Sequence, residues 1–159
     1  MSRKGGFTLV ELIVVILVLG ILSAIALPRI MDSRALASAV FYADVVGALR
    51  FAQKSAVGHR RLVCATFTAT TVVLAIADSN PPVPPNACNK PLASPDGAAY
   101  QSKDGSVGVS GYPAGGVLYF QPVGTISSDG AGASVFSGSI AVAGQGAAIK
   151  IVGVTGYVE

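Results

Sequence analysis

Glu11 is the residue that most needs a chemical explanation. It is the one charged side chain in the 22-residue run from Phe7 to Pro28, and the 17 residues from Leu12 to Pro28 carry no charge at all. About 20 apolar residues suffice to cross a bilayer as a helix. Arg3 and Lys4 stand just before the run, and positive charge stays on the cytoplasmic side, so the rest of the chain is expected on the far side. A carboxylate near one end of such a helix costs about 2.5–3.5 kcal/mol even on lenient insertion scales. It either snorkels to the interface or finds a partner of opposite charge.

Few other residues suggest chemistry. Cys64 and Cys88 make an even count of two, and in a compartment beyond the membrane a disulfide between them is the preferred reading. It closes a loop of roughly 24 residues, for which the chain-entropy model gives on the order of 3 kcal/mol. Two cysteines so far apart make a poor metal site, and no cofactor or metal is expected. His59 is the sole histidine. Without a second histidine or clustered carboxylates it reads as a solvated helix-end residue rather than a ligand or base, and a Ser-His-acid triad has little support. Asp96 and Asp104 do not have the spacing of a calcium loop. Gly130-Ala131-Gly132 lacks the strand-to-helix context of a phosphate cradle. An enzyme is not expected.

The elements that place these residues follow from periodicity. Ala37, Phe41, Val45, Ala48, Ala52 and Ala56 recur every three or four residues, with Arg34, Asp44, Arg50 and Lys54 mainly on other faces, as an amphipathic helix requires. A helix from Phe7 to about Val57 would span roughly 75 Å, so its second half must leave the membrane. Gly20 and Pro28 interrupt it, because glycine lowers helix propensity and proline removes a backbone hydrogen bond; a simple kink is one outcome. Gly58 is the expected cap, with His59, Arg60 and Arg61 at the negative end of the dipole. Beyond it, β-branched runs predict strands over Leu62–Phe67 and Thr71–Ile76, then a stiff proline-rich loop over Asp78–Asn86. Asn89–Gly116 reads as loops around a short strand at Ser106–Ser110. Further strands are expected over Val117–Pro122, Thr125–Ser127, Ser134–Val142, Ala147–Val152 and Val154–Val158.

Composition fits this division. Of 159 residues, 52% are hydrophobic and 12% charged, and much of the apolar excess lies in the first 30. Met1–Arg61 carries eight basic and three acidic residues, whereas Leu62–Glu159 carries three basic and five acidic. The second part is thus slightly acidic, and no nucleic-acid partner is expected.

The octapeptide Gly5-Gly6-Phe7-Thr8-Leu9-Val10-Glu11-Leu12 resembles the processing motif of type IV pilins and type II secretion pseudopilins. The resemblance implies cleavage between Gly6 and Phe7 by a membrane-embedded prepilin peptidase, which also methylates the Phe7 amine. It gives Glu11 the terminal amine of a neighbouring subunit as partner in filament assembly. It places a glycine and a proline, here Gly20 and Pro28, around a segment that is extended or melted in many filaments. The Phe120-Gln121-Pro122-Val123-Gly124-Thr125 stretch resembles a turn in heads of the GspH and FimT group. The ending Gly153-Val154-Thr155-Gly156-Tyr157-Val158 is similar to a minor subunit of mannose-sensitive haemagglutinin pili.

The expected architecture is therefore the α+β pilin fold, a long N-terminal helix packed on a small antiparallel β-rich head. Its expected parts are a leader over residues 1–6, a membrane and assembly helix over 7–30, an amphipathic half over 31–61 and a periplasmic or extracellular head over 62–159. The implied role is structural: a minor pilin helping filament initiation, assembly or tip function. Its partners are the prepilin peptidase and methyltransferase, other pilin subunits, the inner membrane and an inner-membrane assembly platform. Before assembly the chain is a single-pass inner-membrane protein, and afterwards part of a filament. A type II secretion pseudopilin, or an adhesin or DNA-uptake tip subunit, is the alternative. A more distant one is a secreted binding protein, whose ordinary signal would be cut after Ala24-Ile25-Ala26 and leave a chain starting at Leu27.

Overall fold

The computed structural model describes residues 8–30, 33–82, 88–95, 97 and 99–159, with the backbone course alone over 25–30. The chain divides into two compact units, Met1–Ser33 and Arg34–Glu159.

The first unit contains one helix, α1 (Leu9–Ile30). Its 22 residues correspond to about 33 Å at 1.5 Å per residue, against a hydrocarbon core of about 30 Å. Thr8 begins it: the Glu11 amide donates to Thr8 Oγ1 at 3.3 Å and the Leu12 amide to the Thr8 carbonyl at 3.2 Å. Every described side chain from Leu9 to Ala24 is exposed. Ser23 would be a liability in hydrocarbon, but its hydroxyl bonds back to the Leu19 carbonyl. α1 keeps its helical assignment across Gly20 and Pro28. A single proline removes one backbone hydrogen bond, and the rest of the ladder carries the helix past it.

The second helix, α2 (Ser33–His59), belongs to the second unit from Arg34 onward. Its buried residues are Ser38, Phe41, Val45, Ala48, Leu49, Ala52, Ser55 and Ala56, the expected stripe with Leu49 and two serines added. The helix ends in a Schellman arrangement. The Arg61 amide reaches the Ala56 carbonyl at 3.1 Å and the Arg60 amide reaches Val57 at 3.3 Å, with Arg60 in the left-handed region at φ 52°. The capping position is thus Arg60, two residues beyond the glycine expected there.

Ten strands follow: β1 (Val63–Phe67), β2 (Thr71–Ile76), β3 (Lys90–Pro91), β4 (Tyr100–Gln101), β5 (Val109–Ser110), β6 (Val117–Phe120), β7 (Ile126–Ser127), β8 (Ser137–Val142), β9 (Ile149–Val152) and β10 (Tyr157–Val158). They form two antiparallel sheets. One has the order β3-β2-β1-β6-β7 with β4 also on β2, and the other the order β10-β9-β8-β5. Register is set by alternation, as where Val63, Ala65 and Phe67 face inward and Thr66 outward along β1. The sheets meet at β7, where the Ile126 amide bonds the Gly153 carbonyl at 2.8 Å and the Phe136 amide bonds the Ile126 carbonyl at 2.9 Å. One core holds the α2 stripe with Leu74, Leu118, Phe120, Ile126, Ile140, Ile149 and Ile151.

The later strands are shorter than their apolar runs. Val135 makes only an isolated bridge to Ser127, and Gly153–Gly156 is a turn rather than the start of the last strand. Gly156 explains why: it has φ +69°, and a Cβ built there would overlap the Gly124 carbonyl oxygen. The turn after β9 thus lies against the turn after β6 with no room for a side chain.

Gly156→Ala therefore adds left-handed strain and a backbone clash, and should destabilise the head by about 2–4 kcal/mol in denaturant melts. Gly105→Ala meets open space and should stay within about 0.5 kcal/mol of the parent.

Candidate functional site

The N-terminal region combines a carboxylate with an apolar cylinder. Leu12, Ile16 and Leu19 are each between 58% and 59% exposed, values usual for polar surface residues and here held by leucine and isoleucine. α2 also has the length and composition of a span, but eight of its side chains are buried within the second unit. That leaves α1 as the uncovered apolar element. An apolar helix without a packed face belongs in lipid or against other such helices.

Glu11 is the third residue of α1, with Thr8 at the cap, so Thr8-x-x-Glu11 has the pattern of a capping box. A carboxylate in a first turn is also favoured by the helix dipole. This local support was legible in the sequence as threonine followed three residues later by glutamate. The predicted cleavage and methylation positions, Gly6 and Phe7, lie outside the described residues. Of the Gly20 and Pro28 pair, Gly20 has open space around its Cα, so it serves no close packing within this chain.

Cys64 and Cys88 are joined, with Cα atoms 6.0 Å apart and a sequence separation of 24. The bridge ties β1 to the chain ahead of β3. It covers a small second cluster of Leu62, Cys64 and Ala77, with Val117 and Tyr119 against it. Residues 83–87, within the closed loop, lie outside the described residues.

The remaining candidates have structural surroundings. His59 Nδ1 lies 3.0 Å from the Ser55 carbonyl at the end of α2. Asp96 lies outside the described residues. The Asp104 carboxyl is held below its ordinary pKa by the Ser106 amide first and then the Ser106 hydroxyl, with a lesser contribution from the positive charge of Arg34. Asp129 was not singled out in the sequence, yet it organises the loop before β8. Its carboxylate accepts from the Ala133 amide at 3.1 Å and the Ser134 amide at 2.5 Å, and these bonds hold its pKa below the ordinary carboxylate value. Ser127 and Gln121 secure the same loop, Ser127 Oγ donating to the Asp129 carbonyl at 2.7 Å and Gln121 Nε2 to Ser127 Oγ at 2.9 Å. Among the described residues no three His, Cys, Asp or Glu side chains gather as a metal site would require.

A family model described as the prokaryotic N-terminal methylation motif matches residues 1–27. Two fimbrial proteins of Pseudomonas aeruginosa are each 40% identical to the chain over 68 residues, which is 43% of this chain and 44% of each relative. The chain thus spans less than half the length of the curated relatives it matches. No solved structure matches it. The N-terminal methylation motif and the fimbrial likeness are similarities to type IV pilins, and each covers less than half of this chain. The fold agrees: an apolar N-terminal helix and an antiparallel β head closed by a disulfide.

Two outcomes follow for the head. Reducing the Cys64–Cys88 bridge, or replacing both residues by alanine, should lower stability by about 3 kcal/mol in a denaturant titration, since it frees a 24-residue loop. The Asp129 carboxyl has a folded pKa below its unfolded value, so its contribution is complete above the unfolded pKa and disappears as pH falls through the folded one. Hydrogen exchange at the Ala133 and Ser134 amides, corrected for intrinsic rates, should therefore accelerate below about pH 4. In Asp129→Asn that acid-dependent step should be absent.

Proposed function

We propose that this chain is a structural subunit of a type IV pilus or pilus-like filament, with a minor subunit's role in initiation, assembly or at the tip. The observation that carries the reading is the match over residues 1–27 leading into an apolar helix whose described side chains are uncovered. In this reading residues 1–6 are a leader, 7–30 the membrane and assembly helix, 31–61 the amphipathic half and 62–159 the head. A prepilin peptidase cuts between Gly6 and Phe7 and methylates the Phe7 amine. The subunit then waits in the inner membrane with its head in the periplasm until an assembly platform extracts it.

Glu11 supplies register. Its carboxylate costs free energy in hydrocarbon, and an opposite charge offsets that cost only where geometry is good. The terminal amine of a neighbouring subunit is the partner this reading assigns. Gly20 and Pro28 mark where α1 could lose helical hydrogen bonds during assembly. No substrate or cofactor enters the role, and the head's three lysines, Lys90, Lys103 and Lys150, give little attraction for nucleic acid.

Intact mass and N-terminal sequencing of the chain recovered from membranes of its own host test the reading. The expected product begins at N-methylated Phe7 and gains about two daltons on reduction, one hydrogen for each sulfur of the bridge. A product beginning at Leu27 would lack both the helix start and Glu11 and would overturn the filament assignment in favour of a secreted protein.

A further inference from the structure

Arg50 and Lys54 stand about one turn apart on α2, a spacing that sets two positive charges side by side. Like charges so placed repel each other, and an anion held between them turns that repulsion into attraction. Both border a groove of about 420 Å³, with Gln53 beside them on the helix and with Thr155, Gly156 and Tyr157 across from them. None of the described residues lining this groove is acidic. Glu159, the nearest acid in sequence, is exposed and lines no part of it.

The donors of the groove are largely unspent. Arg50 Nε donates to the Val158 carbonyl at 3.1 Å, which steadies the guanidinium and leaves its terminal nitrogens for another acceptor. Among the described residues no hydrogen bond engages the Lys54 amine or the Gln53 side-chain amide, and no buried side-chain nitrogen or oxygen lacks a partner, so both groups reach solvent. Gly156, at φ +69°, brings bare backbone to the groove, and a Cβ there would stand 3.1 Å from Gln53 Nε2. Tyr157 is 52% exposed, so its ring forms a wall with one open side.

We infer that this groove binds an oxyanion, a carboxylate or a phosphate, carried on a sugar ring. The oxyanion lies between the Arg50 guanidinium and the Lys54 ammonium, where both hydrogen bonds are charge-assisted. The Gln53 amide can donate to one ring hydroxyl and accept from another. The open side of the Tyr157 ring covers the C–H face of the sugar, as an amphipathic aromatic does at a half-wet site. A groove of about 420 Å³ is at the small end of the range for ligand sites, which suits a single sugar unit. The site lies wholly within the second unit and needs no second copy of the chain, so it stands apart from the filament reading.

The test is a titration of the full chain, isotope-labelled and held in a nonionic polyoxyethylene detergent, followed through the amide resonances of Gln53, Lys54, Gly156 and Tyr157. The probes are glucuronate, glucose 6-phosphate, inorganic phosphate and glucose. The two sugar-borne anions should give saturable shifts at these amides, inorganic phosphate should bind at least about fivefold more weakly, and glucose should give no saturation up to about 50 mM. Lys54→Gln removes one charge and breaks no hydrogen bond within the head, so its spectrum should overlay the parent's elsewhere. It should weaken all three anions about fivefold. Tyr157→Leu should weaken the two sugar-borne anions about threefold and leave inorganic phosphate unchanged. Phosphate bound as tightly as the sugar-borne anions would overturn the sugar, and glucose bound as tightly as glucuronate would overturn the oxyanion. No saturable shift at these amides with any probe, or parental affinities in Lys54→Gln, would overturn the site and leave the filament role untouched.

Discussion

Everything in the second unit depends on one helix face. The α2 stripe from Ser38 to Ala56 is common to both sheets, and without it the four-stranded sheet would turn Ile140, Val142, Ile149 and Ile151 toward water. The stripe mixes sizes. Phe41 and Leu49 fill space, whereas Ala48, Ala52 and Ala56 keep the helix close to strands built largely from valine, alanine and isoleucine. This is how a head with no tryptophan acquires a continuous core. The polar exceptions are satisfied in place: Ser38 Oγ donates to the Ala143 carbonyl at 2.7 Å and accepts from Gln145 Nε2 at 3.0 Å, which fastens the β8–β9 turn to the helix.

α1 follows the opposite rule. Its described apolar residues take part in no buried core, so its composition has to be explained by surroundings other than this chain. A chain that invests 22 residues in such an element is specified as much for its environment as for its own fold. Glu11 belongs to both accounts at once. Its place in the first turn satisfies a local rule of helix starts, while its charge sets a requirement on whatever lies beside that helix.

Much of this was legible in the residues. The α2 stripe, β1, β2 and β6 follow from periodicity and branching, because there local propensity and tertiary packing agree. The Cys64–Cys88 bridge follows from counting. What was not legible had physical reasons. The cap of α2 falls on Arg60, a residue type with no preference for the left-handed region, because the chain must turn there into β1. The two-residue strands β3 and β4 arise from pairing with β2, a tertiary effect without local sequence signal, whereas β5 falls within the short strand expected at Ser106–Ser110. The last apolar run is cut by the approach of Gly156 to Gly124, a contact between turns more than thirty residues apart. Asp129 escaped notice because a single acid in a glycine-rich loop has no pattern. Its importance appears only when the amides around it are placed.

The strand lengths have one more consequence. Among the described residues both sheets end on two-residue strands: β3, β4 and β7 on the larger, β5 and β10 on the smaller. The longer strands β2, β6, β8 and β9 are each flanked by one of these short neighbours, which limits the row of open amides and carbonyls that an adjoining chain could extend. Closely packed β domains with long open edges risk fusing by strand addition, the pairing that amyloid extends, and truncated edges lower that risk.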